Sequence, residues 1–202
     1  MSNGFSTPSF EGFRALILHR EHPNTEALER QFSRIGMTAV TCWPEVGPEN
    51  SFADFDILLF DADMGYDAQF PWAAGAAPIP TIALIGSEAP GRVTWAVSHG
   101  ADAQLLKPIG SSGVYAALVI ATHAFRRRKE LEQQVAGLGE RLARRENLAE
   151  ATAILMVRHS VSAGLAYHML RRQAMEERRT IDDIASRILA DTAATDEQRH
   201  GQ

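Results

Sequence analysis

The sequence predicts an α/β domain joined by a long helix to an all-α segment, and three observations predict it. From Arg14 to about Thr122, short aliphatic and β-branched runs alternate with helical stretches, the pattern of βα units on a parallel sheet. No proline interrupts residues 114–149, so a long helix follows. Beyond Glu146 the apolar residues recur at helical spacing in three stretches separated by capping signals. A chain of 202 residues is long enough for one sizeable core and a smaller appendage.

Five strands are legible in the first part: Ala15–Leu18, Met37–Thr41, Ile57–Phe60, Thr81–Ile85 and Ala103–Leu106. A helix is expected over Asn24–Ile35, opened by Asn24 as its cap and closed by Gly36. The result is a five-stranded flavodoxin-like sheet over residues 1–122. Residues 123–149 form the connector. There Leu131, Val135, Leu138 and Leu142 repeat at four-three spacing, continued by Arg145 and Ala149, with Arg, Lys, Glu and Gln on the flanks. That is a coiled-coil seam, and it predicts a parallel homodimer. The basic run Arg126–Lys129 would be costly to bury, which argues against the alternative of a monomer whose stripe packs on its own first domain. Gly137 and Gly139 together cost the helix about 2 kcal/mol relative to alanine.

Residues 150–202 read as a three-helix bundle. The long helix runs on to about His159 with Ala151, Leu155 and Met156 inward. Ser160–Ser162 break it, and Ser162 caps a second helix over Ala163–Arg178 whose packed face is Ala166, Leu170 and Ala174. Thr180 and Asp183 form a capping box for a third, with Ile181, Ile184, Ala185 and Ile188 inward.

Composition excludes several classes. With 45% apolar and 22% charged residues the chain is ordinary, and no run approaches the roughly 20 apolar residues of a membrane span. No secretory signal is read at the N-terminus, so a cytoplasmic protein is expected. Cys42 is the one cysteine, which rules out an intrachain disulfide; no Cys/His set has zinc-ligand spacing, and no metal or other cofactor is expected. No P-loop or nucleophile elbow is present, and His99, His123 and His168 lack a paired acid at a telling spacing, so no enzyme is expected.

The net charge of -5 hides two unlike halves. Residues 1–125 hold 6 Lys+Arg against 13 Asp+Glu; residues 126–202 hold 14 against 12, and 13 of those 14 are arginine. Only the second half suits phosphate. Within its second helix Tyr167, Arg171 and Met175 are successive i, i+4 neighbours, and Arg171, Arg172, Arg178 and Arg179 project from one side and the end. Guanidinium forks bind phosphates, and a tyrosine or guanidinium plane stacks on an unpaired base, which is how proteins read RNA loops. The competing reading is a solvated face paired internally with Glu176, Glu177 and Asp182.

Three resemblances add to this. Ile57–Asp61 places an aspartate at the end of the third strand, and Lys107-Pro108 follows the fifth, so the first domain resembles the receiver domain of response regulators. The resemblance makes Asp61 the phosphoacceptor position with Lys107 beside it. The sequence departs from it at His19-Arg20, where receivers carry a Mg²⁺-binding acidic pair, and at Gly86, where they carry a hydroxyl residue. Two readings stay open: a remnant ion pair in a pseudo-receiver that docks a protein, or working phosphotransfer. Ala151, Leu155-Met156, Ala166-Tyr167, Leu170-Arg171, Ala174-Met175 and Ile184-Ala185 resemble the ANTAR domain in order and spacing, although Ser160 stands where a glycine is common. That resemblance implies binding of paired hairpins in a leader mRNA. The stretch from Arg34-Ile35-Gly36 to Cys42-Trp43-Pro44 is similar to the amidase-regulator type of antiterminator, in which receiver-like domain, dimerising helix and ANTAR unit follow in this order. It implies a ligand-sensing negative regulator of amide-sensor type as partner. The alternative from another class is a phosphorylation-activated response regulator that binds DNA.

Overall fold

A computed structural model describes residues 8–47 and 51–200, with side chains through residue 194. Five parallel strands, β1 (Arg14–Leu18), β2 (Thr38–Cys42), β3 (Ile57–Asp61), β4 (Thr81–Ile85) and β5 (Ala103–Leu106), lie in the order β2-β1-β3-β4-β5. This is the flavodoxin-like winding, in which the order reverses between β1 and β3 and the carboxyl ends of those strands open onto the ligand edge. β3 and β4 are buried at every residue, as strands covered on both faces must be.

Five helices follow the chain: α1 (Pro23–Ile35), α2 (Pro90–Ser98), α3 (Val114–His159), α4 (Ala163–Glu177) and α5 (Ile181–His200). Leu28 and Phe32 of α1 pack with Val114, Ala117, Leu118 and Ala121 of α3 on Ala15, Ile17, Ile57, Leu59, Ile82 and Leu84. Alternation along the strands sends Leu16, Leu18, Leu58, Phe60, Ala83 and Ile85 to the opposite side, against Ala96 of α2.

The expected alternation of strand and helix fails in two places. Among the described residues only single 3-10 turns, Phe52–Asp54 and Asp67–Gln69, occupy the connections on either side of β3. Pro44, Gly47 and Pro48 in the first and Gly65, Pro71, Gly75, Pro78 and Pro80 in the second are poor helix material. Aromatic rings cover the sheet there instead. Phe70 stacks on Trp72 at 5.4 Å and meets Phe60 edge-on at 5.2 Å, while Phe52 abuts Trp72 at 4.5 Å. Gly65 lies so close under the Trp95 ring that a Cβ there would overlap it.

The cap of α1 is also corrected. His22, not Asn24, is the N-cap, with Pro23 in the first turn and a reciprocal capping box to Thr25. Asn24 instead accepts from the Ile109 amide at 3.0 Å, tying α1 to the loop after β5. Gly36 closes the helix in the left-handed conformation, as expected.

The chain divides into two units, Met1–Glu130 and Leu131–Gln202, with α3 running through the boundary. In the second, α4 and α5 pack with the last turns of α3 around Ala151, Leu155, Ala166, Leu170, Ala174, Ile184, Ala185 and Ile188. The expected inward stripes form this core, and its four alanines let the helices approach closely. Ser162 caps α4 by accepting from the Leu165 amide. Thr180 and Asp183 satisfy each other's amides at 3.1 Å, the reciprocal box expected at the start of α5.

Candidate nucleic-acid interface

The receiver-like edge is filled by its own side chains. Asp61 is only 2% exposed. Its Oδ1 accepts from Lys107 Nζ at 2.7 Å and from the Asp63 amide at 3.0 Å, and its Oδ2 lies 3.3 Å from His19 Nε2. His19 Nδ1 donates to the Arg20 carbonyl at 2.7 Å, which turns Nε2 toward the carboxylate. His19, not Arg20, is therefore the residue facing Asp61; Arg20 is exposed. Sequence reasoning noted the His19-Arg20 pair at this edge and missed this contact.

Asp63 was missed as well, although the i, i+2 spacing at a strand end signals a shared face. It takes Lys107 Nζ at 2.6 Å and the Gly86 and Ser87 amides at 2.8 and 3.0 Å. Burial pushes its carboxyl up, but the hydrogen bonds from Lys107, Ser87 and Gly86 and the lysine's charge hold it below the usual carboxylate range. Gly86 is what admits the carboxylate, since a Cβ there would stand 2.7 Å from Asp63 Oδ2. Among the described residues no group of three or more His, Cys, Asp or Glu side chains is arranged to hold a metal.

On α4 the apolar stripe Ala166, Leu170 and Ala174 is buried, which turns the remaining faces outward. Tyr167 is 42% and Met175 73% exposed, with Arg171 between them and Arg178 one turn on, so these four form one strip. Arg172 stands off that strip and pairs with Glu176 at 3.6 Å. Glu177 grips Arg187 of α5 through two hydrogen bonds of 2.6 Å and accepts from Gln173 at 3.0 Å. Those bonds, Arg187 first and Gln173 second, bring its pKa down to about 2. Of the acids set against the arginine face, Glu176 thus engages one arginine and Glu177 is committed to α5. Arg171, Arg178 and Arg179 enter no ion pair among the described residues. Arg178 is also the C-cap of α4, at φ 53°.

The seam residues Leu131, Val135, Leu138 and Leu142 are 47%, 68%, 61% and 58% exposed. Just upstream Arg128 is half-buried, paired with Asp102 and lying 5.2 Å over the Phe125 ring, so one member of the basic run does pack on the first domain. Asp102 also accepts from the Thr81 amide at 3.0 Å. The cost of burial expected for this run is offset by that carboxylate.

A receiver-type sheet whose acidic edge is closed by a lysine and a histidine, continued through one helix into a three-helix unit, defines a regulator-like arrangement rather than a bare receiver. Residues 13–122 match the AmiR N-terminal family and residues 136–189 match the ANTAR domain, and the chain belongs to this family of ANTAR regulators. It is 27% identical to the aliphatic amidase regulator of Pseudomonas aeruginosa over 184 residues, 90% of this chain and 93% of that one. It is 30% identical to the transcriptional regulatory protein PdtaR of Mycobacterium tuberculosis over 138 residues, 66% of this chain and 67% of that one. Among solved structures, ShkA Rec1 in complex with c-di-GMP aligns with 56% of this chain and 95% of that chain at 22% identity and a TM-score of 0.44. Full-length FixJ from B. japonicum aligns with 88% and 98% at 13% identity and a TM-score of 0.43. Scores of this size add nothing to the strand order described above. No helix of the described residues is long and apolar enough to cross a membrane.

Proposed function

We propose that this chain is a non-enzymatic transcription antitermination regulator, acting in the cytoplasm, that binds leader mRNA hairpins through α4. Residues 150–202 serve as the RNA-binding domain, residues 123–149 as the dimerisation helix and residues 1–122 as a pseudo-receiver held by a ligand-sensing negative regulator. The observation that carries the reading is the strip Tyr167, Arg171, Met175 and Arg178, exposed opposite a fully packed stripe and not neutralised by the chain's own acids. Arg179 lies at its end, and Arg172 joins by exchanging Glu176 for phosphate. Guanidinium groups held on a rigid helix bind phosphate without reorganisation, and the Tyr167 ring offers a stacking face for a base splayed from a loop.

Asp61 supports the docking reading of the first domain. A carboxylate that is 2% exposed, with Oδ1 held by Lys107 and by the Asp63 amide, is a poor nucleophile toward a phosphoryl donor. Control would then act through a protein surface.

The test is fluorescence anisotropy with a hairpin leader RNA against an RNA duplex of equal charge. Preference for the hairpin is expected, with Arg171→Ala weakening it roughly tenfold and lowering the salt slope by about one. Equal affinity for hairpin and duplex would sink the reading.

A further inference from the structure

The side of α3 that packs into the bundle continues past the bundle with a change of chemistry. Leu155, Ala151 and Leu148 mark that side in steps of four and three residues, and all three pack on the bundle core. The same steps carried further back along the helix reach Arg144, Arg141 and Gly137. The stripe thus turns from apolar to cationic as it leaves the core, and both arginines are exposed. Next to them Gly137 bares the helix backbone at the floor of a shallow groove rimmed by Gln133, Gln134 and Arg141.

These arginines stand at the end of the bundle where the α4 strip also ends. Short connections fold α4 back along α3 and α5 back along α4, so α5 runs in the direction of α3. Arg158 donates to Thr192 Oγ1 at 3.3 Å, which brings those two residues level. Each helix rises about 1.5 Å per residue, so Ile181 comes level with about residue 147 of α3. Arg178 and Arg179, just before it, therefore lie within about one turn of the height of Arg144. The cationic strip of α4 has a continuation on α3.

A solvated helix face balances its charges one turn away. Arg144 meets Glu140 at 3.4 Å, Arg172 meets Glu176 at 3.6 Å and Arg30 meets Glu26 at 3.6 Å. Arg141 has no such neighbour: the residues three and four positions from it are Gly137, Leu138, Arg144 and Arg145. It enters no ion pair among the described residues, and like charges one turn apart disfavour the helix unless an anion lies between them.

We propose that the stem of the hairpin runs along α3, with its phosphates held by Arg141 and Arg144, while its loop lies on α4. The proposal rests on the RNA-binding reading above and adds a second contact, to the stem. An A-form stem hides its base edges in a groove too deep and narrow for side chains and presents phosphates, so guanidinium groups without an aromatic partner suit it. Tyr167 is placed where unpaired bases are.

The test is anisotropy with the full chain on two hairpins that share one loop, one with a short stem and one with a long stem. Arg141→Ala/Arg144→Ala should weaken the long-stem hairpin roughly tenfold and lower its salt slope by about two, with little change on the short stem. Arg171→Ala should weaken both alike. Sedimentation without RNA should show the double variant associating as the parent does, since both changes are exposed and outside the seam. Equal losses on the two stems, no loss on either, or altered self-association overturns the stem contact while leaving the loop on α4. A parent chain that binds both hairpins no better than a duplex of equal charge overturns the RNA-binding reading and the stem contact together.

Discussion

Lys107 holds two carboxylates at once, 2.7 Å from Asp61 and 2.6 Å from Asp63. Lys107→Ala would leave both acids facing each other in a largely dehydrated edge, and we expect a loss of about 3 kcal/mol in urea unfolding. Incubation with Mg²⁺ and acetyl phosphate should give no stoichiometric aspartyl phosphate by mass spectrometry. In the bundle, Glu177 carries a pH dependence. Its pKa lies at about 2 when folded, against an ordinary 4.5, so its stabilisation is complete above about 4.5 and is lost as pH falls through about 2. Asp183, lowered by its bonds to Thr180, acts in the same direction. Glu177→Gln should flatten the fall of the bundle's Tm over that window, followed by circular dichroism. At this scale the sequence was least legible. His19 reaches Asp61 through the meeting of β1 and β3, and Asn24 was drawn from its cap by an amide 85 positions away. Local propensity does not register such partners.

Elements were far more legible, because periodicity and caps are local. All five strands, the Gly36 cap, the Thr180–Asp183 box and the inward stripes of α3, α4 and α5 stand where spacing put them, with ends shifted by a residue or two. The two helix-free connections follow from proline and glycine, but the aromatic cover that replaces the helices depends on tertiary packing. Two substitutions test the helices. Gly137 sits mid-helix with open space where a Cβ would be, so Gly137→Ala should stabilise α3 by about 1 kcal/mol, seen as a rise in Tm. Arg178 is held at φ 53°, a conformation that costs an L side chain about 1 kcal/mol and glycine almost nothing. Arg178→Gly should therefore raise bundle stability while weakening hairpin RNA several-fold. A variant with unchanged RNA affinity would remove Arg178 from the interface.

For the whole molecule, the sheet supplies a closed acidic edge, the bundle supplies the arginine strip, and the bare seam between them is suited to bring two strips onto one transcript. If so, the affinity for paired hairpins owes much to effective concentration. Leu138→Asp places a charge in the middle of the seam, 61% exposed in the single chain. It should cost about a hundredfold in affinity for a two-hairpin leader and little for a single hairpin, measured by anisotropy on both. Equal losses would mean that the seam acts within the RNA-binding unit rather than by joining two of them.

The unbroken α3 has a consequence for how this chain tolerates length changes. It is a 46-residue rod in which each added residue turns everything beyond it by about 100°. Seven residues inserted between Leu142 and Leu148 bring the bundle face back to within about 20° of its present bearing relative to the seam, whereas two swing it to nearly the opposite side. Insertions of seven or eleven residues should therefore be tolerated better than insertions of two. Within one such step the helix thus works as a phase standard, keeping the arginine strip near its present bearing to the seam.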